Sequence, residues 1–106
     1  MLTTGSISLS DIKEHLGVTF SDDDRKLNSL IATSEMLILS QLVEDESTLP
    51  FFVNNQVYLL AVKMLCAHFY MNPSATSSFE KHELPFGMKY IVQALRKDLM
   101  LWNSVD

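Results

Sequence analysis

The sequence predicts an all-α protein, a small bundle of about four helices with one long buried central helix and an irregular loop before the last helix. Three observations favour this fold class. Apolar residues recur at intervals of three and four residues in several stretches, which is the period of a helix face. Residues 57–70 are apolar or aromatic at every position except Lys63 and His68. Helix start and stop signals, such as Ser8 and Gly17, flank these stretches.

The first predicted helix spans residues 9–16. Ser8 supplies a hydroxyl cap, Asp11 follows three residues later, and apolar residues then recur at helical spacing. Gly17 predicts the end of the helix, because glycine adopts positive φ without a Cβ penalty. The preceding residues 1–7 form a short polar arm, which we expect to be either frayed or docked on a neighbour.

The second predicted helix begins with an acidic turn and carries two apolar stripes. Ser21 provides the cap, and Asp22, Asp23 and Asp24 place carboxylates on the first turn, where the helix dipole favours negative charge. Because these carboxylates point in different directions and no second cluster accompanies them, capping explains them better than a metal site. The main stripe comprises Leu27, Leu30, Ile31, Ser34, Leu37, Ile38 and Leu42, and the second comprises Met36, Leu39 and Val43. The second stripe must contact either another element of the fold or a neighbouring subunit.

The long apolar stretch predicts the central helix over residues 51–71. Pro50 suits a first helical turn, where a missing N–H costs nothing, and Asn72 followed by Pro73 predicts the helix end. A helix that is apolar all round is a buried helix, and the polar residues within the stretch disfavour a membrane span. Cys66 lies inside this helix and is predicted to be a buried, unreactive core residue.

Two connecting segments and a last helix complete the single predicted domain of residues 1–106. Residues 44–48 form a solvated acidic connector, and residues 73–83 form an irregular loop that is free to project from the helical body. The last helix spans about residues 86–103, with a break near Lys97 left open, and residues 97–106 form a C-terminal tail. Residues 99–102 have more apolar surface than a solvated terminus requires, so they pack on a partner or on their own core.

Composition and charge limit the classes of function and the cellular compartments that suit this protein. The formal charge is −5 and the eight Lys and Arg residues are scattered, which disfavours non-specific nucleic-acid binding. The single cysteine can form no internal disulfide, which is compatible with a reducing compartment. No signal peptide is visible, so we expect the protein to be cytosolic where it is made.

The residue types that carry catalysis or metal binding do not form a recognisable constellation. No two histidines stand four residues apart as a helical metal pair, and Pro85 interrupts the zincin-like start at His82 and Glu83. Three glycines cannot build a Gly-rich phosphate cradle. We therefore expect no catalytic residue, no cofactor and no bound metal.

Four segments carry a family resemblance through their order and spacing. They are ISLSDIKEHLGV, SDDDRKLNSLIATSEMLI, the apolar helix that ends in AHFYMNP, and ELPFGMKYIVQALR. Together these segments resemble the head-tail connector proteins of tailed bacteriophages, which are described as gp6-like or DNA-packaging proteins. The resemblance covers residues 7–96, and residues 97–106 lie beyond the shared pattern.

This resemblance implies a structural virion protein without catalytic residues, located at the head-tail interface and in the host cytoplasm during assembly. It implies a homo-oligomeric ring of about a dozen copies beneath the portal protein, with DNA passing through the channel. Further partners would be downstream head-completion or tail proteins, and no membrane would be involved. Candidate oligomer or partner contacts are Met36, Leu39, Val43, Phe79, Leu84, Phe86, Leu99 and Trp102. The alternative is a small helical DNA- or protein-binding regulator, which clustered basic residues would favour.

Overall fold

The computed structural model describes residues 4–43, 46–72 and 87–104, and within these ranges the chain is helical without a strand. The elements are α1 (Leu9–Leu16), α2 (Asp24–Leu42), a 3-10 helix (Glu46–Thr48), α3 (Leu49–Phe52), α4 (Gln56–Met71) and α5 (Met88–Ser104). The predicted all-α bundle is therefore confirmed. Residues 73–83, the predicted projecting loop, lie outside the described ranges.

Helix α1 has the predicted bounds and the predicted cap. The Ser8 hydroxyl accepts a hydrogen bond from the Asp11 N–H (3.1 Å), and the Asp11 carboxylate accepts one from the Ser8 N–H (3.3 Å). These two bonds form a capping box. They lower the pKa of Asp11, because they stabilise its charged form. Gly17 ends the helix in the left-handed region, at φ 73°.

Helix α2 begins later than predicted. Asp23 rather than Ser21 occupies the N-cap position, and it makes no side-chain capping bond. Asp23 instead accepts a hydrogen bond from the Tyr70 hydroxyl at 2.6 Å, and Asp24 forms a salt bridge with Lys13 Nζ at 2.8 Å. Two of the three carboxylates therefore join α2 to α4 and α1, and the prediction that all three lie on the first turn of the helix is wrong.

The predicted central helix of residues 51–71 is broken into α3 and α4. Asn54 adopts a left-handed conformation (φ 64°), which interrupts the helix. Asn55 then caps α4, because its side-chain oxygen accepts hydrogen bonds from the N–H groups of Val57 (3.0 Å) and Tyr58 (3.1 Å). Asparagine tolerates left-handed geometry and caps helices well, so local chemistry outweighs the continuous apolar pattern. The predicted end is confirmed, since α4 stops at Met71.

Helix α4 is buried on one side rather than all round, which corrects the prediction of a fully buried helix. Val57, Leu60 and Met71 are exposed, because this subunit supplies neighbours to one side of the helix only. Cys66 is completely buried, as predicted, and burial raises the pKa of its thiol to about 11. The buried residues of α4 are Tyr58, Ala61, Val62, Leu65, Cys66 and Phe69.

The core lies where α2, α4 and α5 pack together, with α1 covering α2 and α4. Side chains from all four helices fill it, among them Ile12, Leu27, Ile38, Leu65 and Leu95, each at most 1% exposed. Helix α5 runs without a break past Lys97 and contributes Met88, Val92, Leu95 and Leu99 to the core at helical spacing. The predicted solvated connector is in part a 3-10 helix.

Candidate functional site

Two contacts fix the ends of the helices relative to one another. Arg96 Nη2 on α5 donates a hydrogen bond to the Gln41 carbonyl oxygen near the end of α2 (3.2 Å). The ring centroids of Trp102 on α5 and Phe51 on α3 are 5.8 Å apart. The C-terminal ends of α2 and α5 therefore lie beside α3 and the start of α4 at one end of the bundle, which we call the base. At the other end, the top, the Tyr70 hydroxyl of α4 reaches the start of α2.

Exposed apolar side chains are concentrated at the base. Of the nine large hydrophobic side chains that are exposed within the described ranges, six lie at this end. Met100 and Leu101 are 67% and 57% exposed. Exposed apolar side chains gathered at one end of a subunit are more typical of an interaction site than apolar side chains scattered singly. We call the six residues the base patch: Val53, Val57, Leu60, Met100, Leu101 and Trp102.

A groove of about 630 Å³ adjoins the base patch and shares Met100 with it. Its walls are the C-terminal end of α2, the 3-10 helix and the C-terminal half of α5. The lining combines apolar side chains with hydroxyl, amide and guanidinium groups, a mixture that suits contact with a protein segment. The lining residues are Ser40, Gln41, Leu42, Val43, Ser47, Thr48, Arg96, Leu99, Met100 and Asn103.

Trp102 connects the base patch to the core through a series of aromatic contacts. Its side chain is 43% exposed and its ring lies against Phe51. Phe51 packs edge-to-face on Phe52 (4.9 Å between centroids), and Phe52 contacts Tyr58 (5.2 Å). Trp102 therefore packs partly on its own subunit and leaves the remainder of its surface available to a partner.

A buried carboxylate holds the N-terminal arm to the bundle. Glu35 Oε1 accepts hydrogen bonds from the Tyr58 hydroxyl (2.7 Å), the Thr4 N–H (3.0 Å) and the Thr4 hydroxyl (2.6 Å). Burial and the bond to Glu35 both raise the pKa of Tyr58, so its hydroxyl remains protonated and can donate. Ile7 is buried as well. The prediction that the arm is frayed or docked on a neighbour is therefore wrong for residues 4–7, which dock on their own subunit.

Sequence reasoning missed this buried carboxylate, although the sequence contains a signal for it. Glu35 is the only charged residue between Leu27 and Val43. A single carboxylate in an otherwise uncharged helix is costly to bury without hydrogen-bond donors, so its presence indicates donors elsewhere in the chain. Which residues supply those donors is not visible in the sequence, because Thr4 and Tyr58 are far from Glu35 along the chain.

The structure brings together some of the predicted contact residues and separates others. Val43 and Leu99 line the groove, and Trp102 belongs to the base patch. Met36 is half-buried. Leu39 is completely buried and Leu99 is 6% exposed, so the core of this subunit takes up nearly all of both side chains. Phe79, Leu84 and Phe86 lie outside the described ranges.

In residues 4–43, 46–72 and 87–104, no three His, Cys, Asp or Glu side chains are grouped so that they could hold a metal ion. None of the helices in the described part of the chain has the length and apolar character needed to cross a membrane.

Comparison with known proteins identifies one family. The model of the family described as phage gp6-like head-tail connector protein matches residues 6–98. The match begins in the N-terminal arm and ends within α5, so it includes α1 to α4. No curated protein and no solved structure gives a significant match.

Proposed function

The chain belongs to the phage gp6-like head-tail connector family, and we propose that it forms a closed ring of about a dozen copies beneath the portal protein, through which DNA passes. That family consists of structural phage proteins and is not an enzyme family. The connector role entails contact with other head or tail proteins of the phage. The observation that carries the proposal is the match over residues 6–98, which spans nearly the whole described bundle. The place of action would be the virion, after assembly in the host cytoplasm.

A closed ring requires two different surfaces on each subunit, since identical surfaces that meet produce a dimer instead. Outside the base patch, exposed apolar side chains lie on three separate parts of the bundle: Phe20 before α2, Met71 at the end of α4 and Tyr90 near the start of α5. The acidic balance of the chain also suits a channel for DNA, because a like-charged wall does not retain phosphates.

We assign the α5 side chains of the base patch to a non-identical head or tail protein rather than to a second copy, whereas the other three residues of the patch lie within the family match. Met100, Leu101 and Trp102 lie beyond residue 98, where the family match ends. Contacts between copies are expected within the part of the chain that the family shares. Contacts with a portal or tail protein that differs from phage to phage are expected in the part that it does not share.

Electron microscopy of the purified protein, alone and with its portal protein, tests this function. We expect ring-shaped particles with a central channel when the portal is present. Met100→Ser should weaken binding to the portal or tail partner at least about tenfold, because an apolar side chain at the centre of an interface contributes strongly. Trp102→Ala should weaken that binding more than it lowers the melting temperature of the subunit.

Ser29→Ala, an exposed change on α2, serves as the control and should leave both quantities unchanged. The absence of rings with and without the portal would contradict the proposed function. A Trp102→Ala variant that melts at a much lower temperature but binds normally would show that Trp102 acts only within its own core.

A further inference from the structure

Helix α5 has an exposed basic side in an acidic protein. It carries Lys89, Arg96 and Lys97 against a single carboxylate, Asp98. Lys89, Gln93 and Lys97 recur at intervals of four residues, so they form a row about 12 Å long on one side of the helix. All three are exposed, and Tyr90 beside them is 72% exposed. We call Lys89, Tyr90, Gln93 and Lys97 the basic face.

The C-terminal end of α1 and the segment that joins it to α2 carry exposed carboxylates instead. Glu14, Phe20 and Asp22 are all exposed, with Phe20 at 50%, and we call these three residues the acidic corner. The salt bridge found in the described ranges uses the neighbouring Asp24, so the Glu14 and Asp22 carboxylates have no cationic partner there. Phe20 has a carboxylate on either side of it in the chain; among the nearby cations, Lys13 pairs with Asp24 and Lys26 lies over the Tyr70 ring, while Arg25 is exposed.

The two surfaces lie on different sides of the subunit. Helix α1 and the arm contact α2 through Asp24 and Glu35, whereas α5 contacts α2 at Gln41. Helices α1 and α5 both pack against α2 and α4 but scarcely touch each other, so they lie on different sides of that pair. A subunit can therefore present one surface to each of two neighbours, as a heterologous contact requires.

We propose that the basic face of α5 docks on the acidic corner of a second copy of this chain. The contact would bury Tyr90 against Phe20 and place the two lysines beside Glu14 and Asp22, so that apolar burial and charge complementarity act together. This inference rests on the proposed ring, in which it supplies the contact between adjacent subunits.

DNA is a weaker candidate for the same face. The chain as a whole has a formal charge of −5, which repels a polyanion at long range. Arg96, the third cation of α5, already donates to the Gln41 carbonyl. An exposed aromatic ring beside the lysines gains more from burial against another ring than from contact with phosphates.

Charge reversal tests the contact from both sides. One variant carries Lys89→Glu and Lys97→Glu, and the other carries Glu14→Lys and Asp22→Lys. Each variant alone should self-associate at least about tenfold more weakly than the wild type, because like charges then face each other. A one-to-one mixture of the two variants should recover assembly, since each altered face meets an altered partner of opposite charge. Sedimentation velocity and native mass spectrometry measure the association.

Asp98→Lys provides a control on a different side of the same helix, and it should change association less than twofold. Melting temperatures of all variants should remain close to that of the wild type, because the altered residues are exposed.

The proposed docking is wrong if either charge-reversed variant alone associates as strongly as the wild type, or if the mixture of the two does not recover assembly. In either case the proposed function still holds as long as the wild-type protein forms rings. Loss of duplex DNA binding with normal assembly in the Lys89→Glu, Lys97→Glu variant assigns the basic face to DNA instead. If the wild type forms no ring with or without the portal, the proposed function fails and this inference fails with it.

Discussion

At the residue scale, Glu35 and Tyr58 form the polar contact on which the position of the N-terminal arm depends. Tyr58→Phe removes one of the hydroxyl donors to a carboxylate that is 2% exposed. We expect the free energy of unfolding to fall by about 1–3 kcal/mol, because a buried charged acceptor then loses a partner. Urea denaturation of the isolated subunit measures this loss.

Tyr90→Phe is the matched control for that substitution. It removes the same hydroxyl group from an exposed side chain, so the free energy of unfolding should change by less than about 0.5 kcal/mol. Equal effects of the two substitutions would mean that the hydrogen bond between Tyr58 and Glu35 contributes nothing to stability.

The thiol of Cys66 should react slowly in the folded protein. It is completely buried, and burial raises its pKa to about 11, so the reactive thiolate is scarce at neutral pH. We expect a maleimide or disulfide reagent to modify Cys66 within minutes in denaturant and much more slowly under native conditions. Rapid native labelling would show that α4 opens frequently or packs differently from the structure described above.

At the element scale, the break between α3 and α4 distinguishes the structure from the continuous helix that the sequence predicts. Asn55→Ala should lower the free energy of unfolding by about 0.5–2 kcal/mol, because it removes the cap of α4. Asn54→Gly should be neutral or stabilising, since glycine adopts a φ near 64° without strain. Thermal or urea denaturation of both variants measures these changes.

The opposite result identifies a continuous helix. In the middle of a helix, Asn54→Gly would destabilise, because glycine has low helix propensity, whereas Asn55→Ala would be neutral or stabilising. The effect of each substitution on the free energy of unfolding therefore differs between a broken helix and a continuous helix. Neither measurement depends on assembly.

At the scale of the whole molecule, net charge separates a connector from a DNA-binding regulator. A chain with a formal charge of −5 should bind random duplex DNA more weakly than the roughly 10⁻⁴ M that is typical of weak non-specific binding at physiological salt. Fluorescence anisotropy with a labelled duplex measures this. Saturable binding at low micromolar concentration would favour the regulator.

The sequence determined the fold class, the bounds of α1, the end of α4 and the burial of Cys66. Each of these follows from local chemistry or from helical period: a Ser8 cap, a glycine stop, a proline after Asn72, and apolar residues at intervals of three and four. The family resemblance was also visible in the sequence, because it depends on the order of such segments, and the match over residues 6–98 bears it out.

Only the tertiary structure decided which apolar residues are core and which are surface. Leu39 and Leu99 are buried by helices that the sequence could not place, whereas Leu60 and Met100 remain exposed although they belong to equally apolar stretches. The same reason applies to Asp23 and Asp24, whose partners lie on other helices, and to Glu35, whose donors come from the arm and α4. Helical period gives the direction of a side chain relative to its own axis, but burial depends on how the axes pack against one another.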